Sequence, residues 1–268
     1  MSAQPYAPVE ISDARYESGG IRHVTYASPA ISRRQDLLLV LPESGGESLP
    51  VLVLLHGVDA SHWSWAYLGG VHETLAQLVR TDAIPPLALV LPSDGLWRRG
   101  SGYIRHRSGG DYERLVLEAP EVAALVDDRI DGRSSLGIAG LSMGGYGALR
   151  IGVKHCERFA AVCAHSAVTE LAQMSMFVGD EVARLDVDAE DADVLGWVIR
   201  HRDRLPPLRF DCGVDDSLIE SNRTLHRELE HLGIEHEYAE HEGGHDWQYW
   251  SERVADSLRF FAAHAAAP

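Results

Sequence analysis

Lysine is nearly missing from this chain: Lys154 is the only one in 268 residues. Chemistry that needs a lysine amine, such as a pyridoxal-phosphate Schiff base or a Gly-Lys-Ser/Thr phosphate loop, therefore has one candidate side chain and no motif around it. Cysteine is scarce as well. Cys156, Cys163 and Cys212 are an odd number, form no CxxC pair and sit in apolar or strand-like surroundings. Neither a disulfide framework nor a cysteine zinc site is expected. Positive charge is in deficit: 24 Lys and Arg face 40 Asp and Glu, a formal net charge of −16. That field repels nucleic acid and anionic lipid, so no nucleic-acid or membrane partner is expected. Long apolar runs are missing too. "VLVLL" and "LALVL" fall far short of the ~20 residues that span a bilayer. The opening stretch "MSAQPYAPVEISDARYESGG" has no basic start followed by an apolar region, so no signal peptide is expected. The expectation is a soluble, cytoplasmic protein.

What remains is a regular alternation. "HVTYAS", "DLLLVLP", "PVLVLLHG", "LALVLPSDG", "LGIAGLS", "FAAVCAHSA", "LRFDCG" and "EHEYAEH" read as strands: short, apolar, bounded by Pro, Gly or Asp. Several are apolar throughout, as central strands of a parallel sheet covered on both faces must be. Between them lie helical patterns at about 65–81, 119–128, 143–155, 218–232 and 247–264. The fold class is therefore α/β, with a mostly parallel central sheet and helices on both faces, and residues 1–268 form one domain. The stretch 168–205 breaks the alternation and carries the acidic run "DVDAEDAD". It reads either as a small cap insertion or as a solvated, partly helical excursion.

One segment carries chemistry. Gly140-Leu141-Ser142-Met143-Gly144 spells G-x-S-x-G directly after a strand and directly before a helix. A serine on so sharp a turn needs small neighbours, because a side chain at 140 or 144 would crowd it. The helix behind Ser142 offers a positive end and free N–H groups to a developing oxyanion. A second strand ends in "LLHG", and the Val58 amide beyond it is the partner expected for the Met143 amide in an oxyanion hole. His56 in that loop reads as a hydrogen-bonded loop anchor, since a catalytic base is expected near the C-terminus.

"HEGGHDW", residues 241–247, has two readings. As H-E-x-x-H it is a zinc-protease signature, with His241 and His245 as ligands and Glu242 as general base. As a strand end and glycine turn it delivers His245 alone. The metal reading requires Gly243-Gly244 in mid-helix, at about 1 kcal/mol each, after residues that look like a strand. The second reading is preferred, and it completes the order Ser, acid, His that strand–helix hydrolases use: 142, then Asp215 or Asp216, then 245.

The stretches "LLHG" (54–57), "PSDG" (92–95), "GLSMGGYGA" (140–148), "CGVDDSLIESN" (212–222) and "EGGHDWQYW" (242–250) together resemble a group of α/β-hydrolase esterases. The group includes S-formylglutathione hydrolase (esterase D), feruloyl and acetylxylan esterases, enterochelin-type esterases and the mycolyltransferases. The resemblance implies an α/β-hydrolase fold and serine esterase activity, with Ser142 as nucleophile, Asp216 as acid and His245 as base. Its G-x-x-D spacing from Gly213 selects Asp216 over Asp215, which then is a turn residue. It implies a small-molecule ester as partner and no metal or organic cofactor, and leaves the oligomeric state open. Trp63, Trp65, Trp97 and Trp247 lie near these motifs as candidate pocket walls, although aromatic residues there serve as often in packing. Two rival functions are an acyltransferase with an alcohol acceptor and a non-catalytic binding module on the same fold.

Overall fold

A computed structural model describes residues 5–95, 99–107 and 109–265. Strands Val9–Ile11 (β1), Ile21–Ser28 (β2), Arg33–Val40 (β3), Val51–Leu55 (β4), Ala88–Pro92 (β5), Leu136–Leu141 (β6), Ala161–His165 (β7), Leu208–Gly213 (β8) and Glu237–His241 (β9) form one sheet. Its order is β1-β2-β3-β5-β4-β6-β7-β8-β9. The first three strands and the β3–β5 pair run antiparallel, and everything from β5 through β4 to β9 is parallel. All eight expected strands are present. The addition is β1, three half-exposed residues with too little apolar pattern to stand out.

Helices Ser64–Tyr67 (α1), Val71–Arg80 (α2), Tyr112–Ala123 (α3), Met143–Lys154 (α4), Ser175–Val178 (α5), Ala189–Ala192 (α6), Val194–His201 (α7), Ile219–His231 (α8) and Trp247–His264 (α9) cover the sheet. Side chains alternate across a strand, and β4 shows the consequence. Val51, Val53 and Leu55 join the core under α3, α4, α7 and α8, while Leu52 and Leu54 join the opposite core under α2 and α9. This two-sided burial is why β4, β5 and β6 read as unbroken apolar runs, whereas β8, equally buried, carries Arg209 and Asp211.

Two helix expectations need correction. The pattern at 65–81 is not one helix, because Gly69 and Gly70 break it, Gly70 at φ +60°. The helix expected at 119–128 is Tyr112–Ala123: Asp111 caps it by accepting the Arg114 N–H at 2.9 Å, and Pro120 lies within it.

The excursion between β7 and β8 is docked, not freely solvated. Met174, Val178, Val194 and Val198 are buried in the core. Asp191, from the acidic run, accepts from buried Arg150 and pairs with Lys154, and its carbonyl receives the Trp197 indole N–H at 3.1 Å. The Tyr146 hydroxyl donates to the Ala192 carbonyl at 2.8 Å. Among the described residues, no helix is long and apolar enough to cross a membrane.

Candidate active site

The loops that follow β4, β6, β8 and β9 meet beyond the carboxyl ends of the parallel strands, where open α/β sheets place their sites. Ser142 sits between β6 and α4 with φ 54° and ψ −119°, a strained conformation for a residue with a side chain. The flanking glycines are what the turn requires. A Cβ on Gly140 would lie 2.3 Å from the Gly144 carbonyl oxygen, and one on Gly144 would lie 2.4 Å from that of Leu55. The backbone of Ser142 is locked: its N–H donates to the His165 carbonyl at 3.0 Å, and its own carbonyl accepts from Tyr146 and Val168.

His245 reaches this serine from the turn between β9 and α9. Its Nε2 is 2.9 Å from Ser142 Oγ, and its Nδ1 is 2.9 and 3.1 Å from the two Asp216 carboxylate oxygens. With Nδ1–H donated to the carboxylate, Nε2 accepts the Ser142 hydroxyl proton. Asp216 is buried, and its Oδ1 also accepts the Leu218 N–H at 2.8 Å. Burial alone would raise its pKa. The hydrogen bond and charge of His245, with the Leu218 amide and the Ser166 hydroxyl, outweigh this and hold the carboxyl below its ordinary value. Asp215 is exposed, and its N–H donates to the Gly243 carbonyl at 3.0 Å. That bond ties the acid loop to the histidine turn, and the approach is tight: a Cβ on Gly213 would lie 2.2 Å from the same carbonyl oxygen. The turn also separates the two halves of H-E-x-x-H. His241 ends β9 and Gly243 has φ +128°, so His241 and His245 do not share a helix face.

The loop after β4 closes on the serine from another side. A Cβ on Gly57 would lie 3.4 Å from Ser142 Cβ, and one on Gly100 would meet both Met143 Sδ at 2.6 Å and Val58 Cγ1 at 3.2 Å. Val58 and Met143 are thus brought together beside Ser142. Met143 is the first residue of α4, so its amide has no intrahelical acceptor. His56 behaves as a loop anchor. It is buried, its Nδ1–H donates to the Gly57 carbonyl at 2.8 Å, and its Nε2 accepts the Asp94 N–H at 3.2 Å. Burial lowers its pKa and favours the neutral ring that this pairing needs.

The tryptophans separate. Trp65 is 1% exposed, with its indole N–H on the Leu55 carbonyl at 2.9 Å, and is a core residue. Trp247 packs edge-on against Trp65 and Trp250. Trp63 is 41% exposed at the start of α1. Trp97 lies outside the described residues. Two other aromatic rings do reach the site: Phe177 of α5 stacks on His245 with centroids 4.7 Å apart and planes 20° apart, and Trp250 stands edge-on to it at 5.0 Å.

A second Ser-His-Asp line lies in the core. His165 Nδ1 is 3.0 Å from both Asp211 carboxylate oxygens, and its Nε2 is 2.8 Å from Ser257 Oγ. All three residues are fully buried. Asp211 also accepts from Arg209 at 2.5 Å and from the Tyr249 hydroxyl at 2.9 Å. The cluster fastens α9 to β7 and β8. The ring of Tyr249 backs the histidine turn, since a Cβ on Gly243 would lie 2.8 Å from Tyr249 Cδ2.

The family described as Putative esterase matches residues 28–261. The chain belongs to that family. The esterase is 26% identical to an acetyl esterase of Caldicellulosiruptor saccharolyticus over 271 residues, which covers 90% of this chain and 98% of the relative. In structure it is similar to an S-formylglutathione hydrolase of Agrobacterium tumefaciens (TM-score 0.78, 18% identity, 98% of this chain and 100% of the other). It is similar also to a substrate-bound fluorophosphonate-binding serine hydrolase of Staphylococcus aureus (TM-score 0.77, 22% identity, 90% of this chain and 98% of the other). These likenesses establish the α/β-hydrolase fold, and the esterase is a carboxylic ester hydrolase by its family.

Proposed function

We propose that this protein hydrolyses short-chain carboxylic esters through a serine-bound acyl intermediate, with Ser142 as nucleophile, His245 as base and Asp216 as its orienting acid. One observation carries the proposal: the unbroken line from the Asp216 carboxylate through His245 to Ser142 Oγ, with 2.9 Å at each junction. His245 Nε2 takes the Ser142 proton as Oγ attacks the ester carbonyl carbon. The carbonyl π electrons move to oxygen, and the amides of Val58 and Met143 hold the resulting oxyanion. Collapse breaks the bond to the alcohol oxygen, which leaves with the proton from His245. A water molecule then gives its proton to His245, attacks the acyl carbon and releases the acid and Ser142. These parts suffice without a metal or organic cofactor.

Short acyl groups, acetyl to butyryl, on a neutral or polar alcohol such as a sugar fit the chain best. The one insertion that could shelter a fatty chain, 168–205, is short and acidic in its middle, and apolar burial is worth only about 25 cal/mol per Å². The net charge of −16 disfavours anionic substrates at long range. The acetyl esterase relative, 26% identical over nearly its whole length, supports the same substrate class. Hydrolysis of p-nitrophenyl esters tests the reading. kcat/KM should fall from acetate or butyrate to octanoate, and Ser142→Ala should remove turnover by about 10⁴-fold or more. A steady rise toward long chains would overturn the substrate class, and an active Ser142→Ala variant would overturn the mechanism.

A further inference from the structure

On the reading that His245 moves the proton, we propose that Phe177 is the specificity-determining side chain for the alcohol, setting which leaving groups and acceptors reach His245 Nε2. During the reaction the acyl group stays on Ser142, while the alcohol leaves and water enters at Nε2. A residue that shapes access to the imidazole therefore acts on the second group and not on the first.

The surroundings of the ring are asymmetric. Its Nδ1 edge is closed by Asp216 and its Nε2 edge faces Ser142. The Phe177 ring lies nearly parallel on it at 4.7 Å, and Trp250 stands perpendicular at 5.0 Å. A departing alcohol oxygen must come within hydrogen-bond reach of Nε2, so the atoms attached to that oxygen pass the Phe177 ring. Flat or small groups slide along an aromatic face, whereas branched ones meet it as a wall.

Phe177 is placed firmly enough for this. Met174 and Val178, four apart and therefore on one side of the helical stretch, are buried pegs in the core. Further along the same excursion, Asp191 holds to Lys154 and Arg150 of α4. The segment is thus fixed at both ends of its path across the site, and Phe177 is its ring contact with the imidazole.

The test separates the alcohol side from the acyl side. With p-nitrophenyl acetate as donor, methanol and tert-butanol are offered as competing acceptors, and the ester products are measured for the wild type, Phe177→Ala, Phe177→Leu and Phe177→Trp. The wild type should prefer methanol. Phe177→Ala should narrow that preference by about fivefold or more, Phe177→Leu by less, and Phe177→Trp should widen it, within the range that single apolar groups contribute to discrimination. The acetate-to-octanoate ratio of p-nitrophenyl esters should stay within about twofold in every variant. An unchanged acceptor preference in Phe177→Ala and Phe177→Leu would overturn the proposal, as would acyl and acceptor profiles that shift together. Fluorophosphonate labelling of Ser142 reports on the site in each variant: labelled variants that keep the wild-type acceptor preference contradict the role of Phe177 alone, whereas an unlabelled, active wild type contradicts the serine mechanism beneath it.

Discussion

Replacing Asp216 by asparagine should cripple turnover while leaving the fold in place. The Leu218 N–H, now on Asp216 Oδ1 at 2.8 Å, still finds an acceptor in the amide oxygen of asparagine. This orientation leaves the amide NH2 facing His245 Nδ1, 2.9 Å from the oxygen it replaces. Nδ1 must then accept, the ring proton moves to Nε2, and Nε2–H points at Ser142 Oγ instead of receiving its proton. The negative charge that steadies the imidazolium is lost as well. Two unit charges about 4 Å apart at an effective dielectric of about 20 interact by about 4 kcal/mol, which is about 10³-fold in rate. With the tautomer reversal the expected loss in kcat is about 10³- to 10⁴-fold, with KM and Tm little changed. The assay is p-nitrophenyl acetate hydrolysis, with Asp215→Asn alongside as an exposed neighbour that should stay within about threefold of wild type. An Asp216→Asn enzyme within tenfold of wild type, or a deeper loss in Asp215→Asn, would refute the reasoning.

The buried Ser257–His165–Asp211 line should prove structural. Ser257→Ala removes one hydrogen bond to a buried ring and should lower stability by about 1–3 kcal/mol, read as a lower Tm, with p-nitrophenyl acetate turnover within about threefold; a turnover collapse at unchanged Tm would contradict this. Burial raises the Asp211 carboxyl, but the charges and hydrogen bonds of His165 and Arg209 outweigh it and set its pKa at about 2, against an ordinary 3.8. Because the folded value is the lower one, its stabilisation is complete above about pH 4 and is lost as pH falls toward 2, an amount on the order of 2 kcal/mol. Acid unfolding of Asp211→Asn followed by circular dichroism should lack that share of the pH dependence, and an unaltered dependence would count against it. EDTA should leave activity intact; loss on chelation with recovery on zinc would restore the metal reading of His241 and His245.

The legible parts of the sequence were those where one local pattern had one physical meaning. β4, β5 and β6 are buried on both faces and read as apolar runs. Ser142 announced itself because the backbone around it tolerates nothing but glycine at 140 and 144. Chain order pointed to His245 and left Asp215 or Asp216 open; only the G-x-x-D spacing of the resemblance singled out Asp216, the carboxylate that lies against His245. Orientation was not legible. Trp65 lies as close to the motifs in sequence as any pocket residue, yet it points into the core. Phe177 sits on a four-residue helix in an irregular segment, where no periodicity indicates which side meets the site. Ser257 belongs to an amphipathic helix and looks like any small buried position until His165, 92 residues away, is found beside it. The helix expected at 119–128 begins instead at Tyr112, where the Asp111 cap sets its start.

The claim that Ser142 is the nucleophile is tested most directly by treating active protein with a fluorophosphonate and mapping the adduct by mass spectrometry. The account predicts a single adduct on Ser142, gained in step with loss of esterase activity and absent in Ser142→Ala. Inactivation with the adduct on Ser257 or any other residue, or full activity with Ser142 modified, would contradict it.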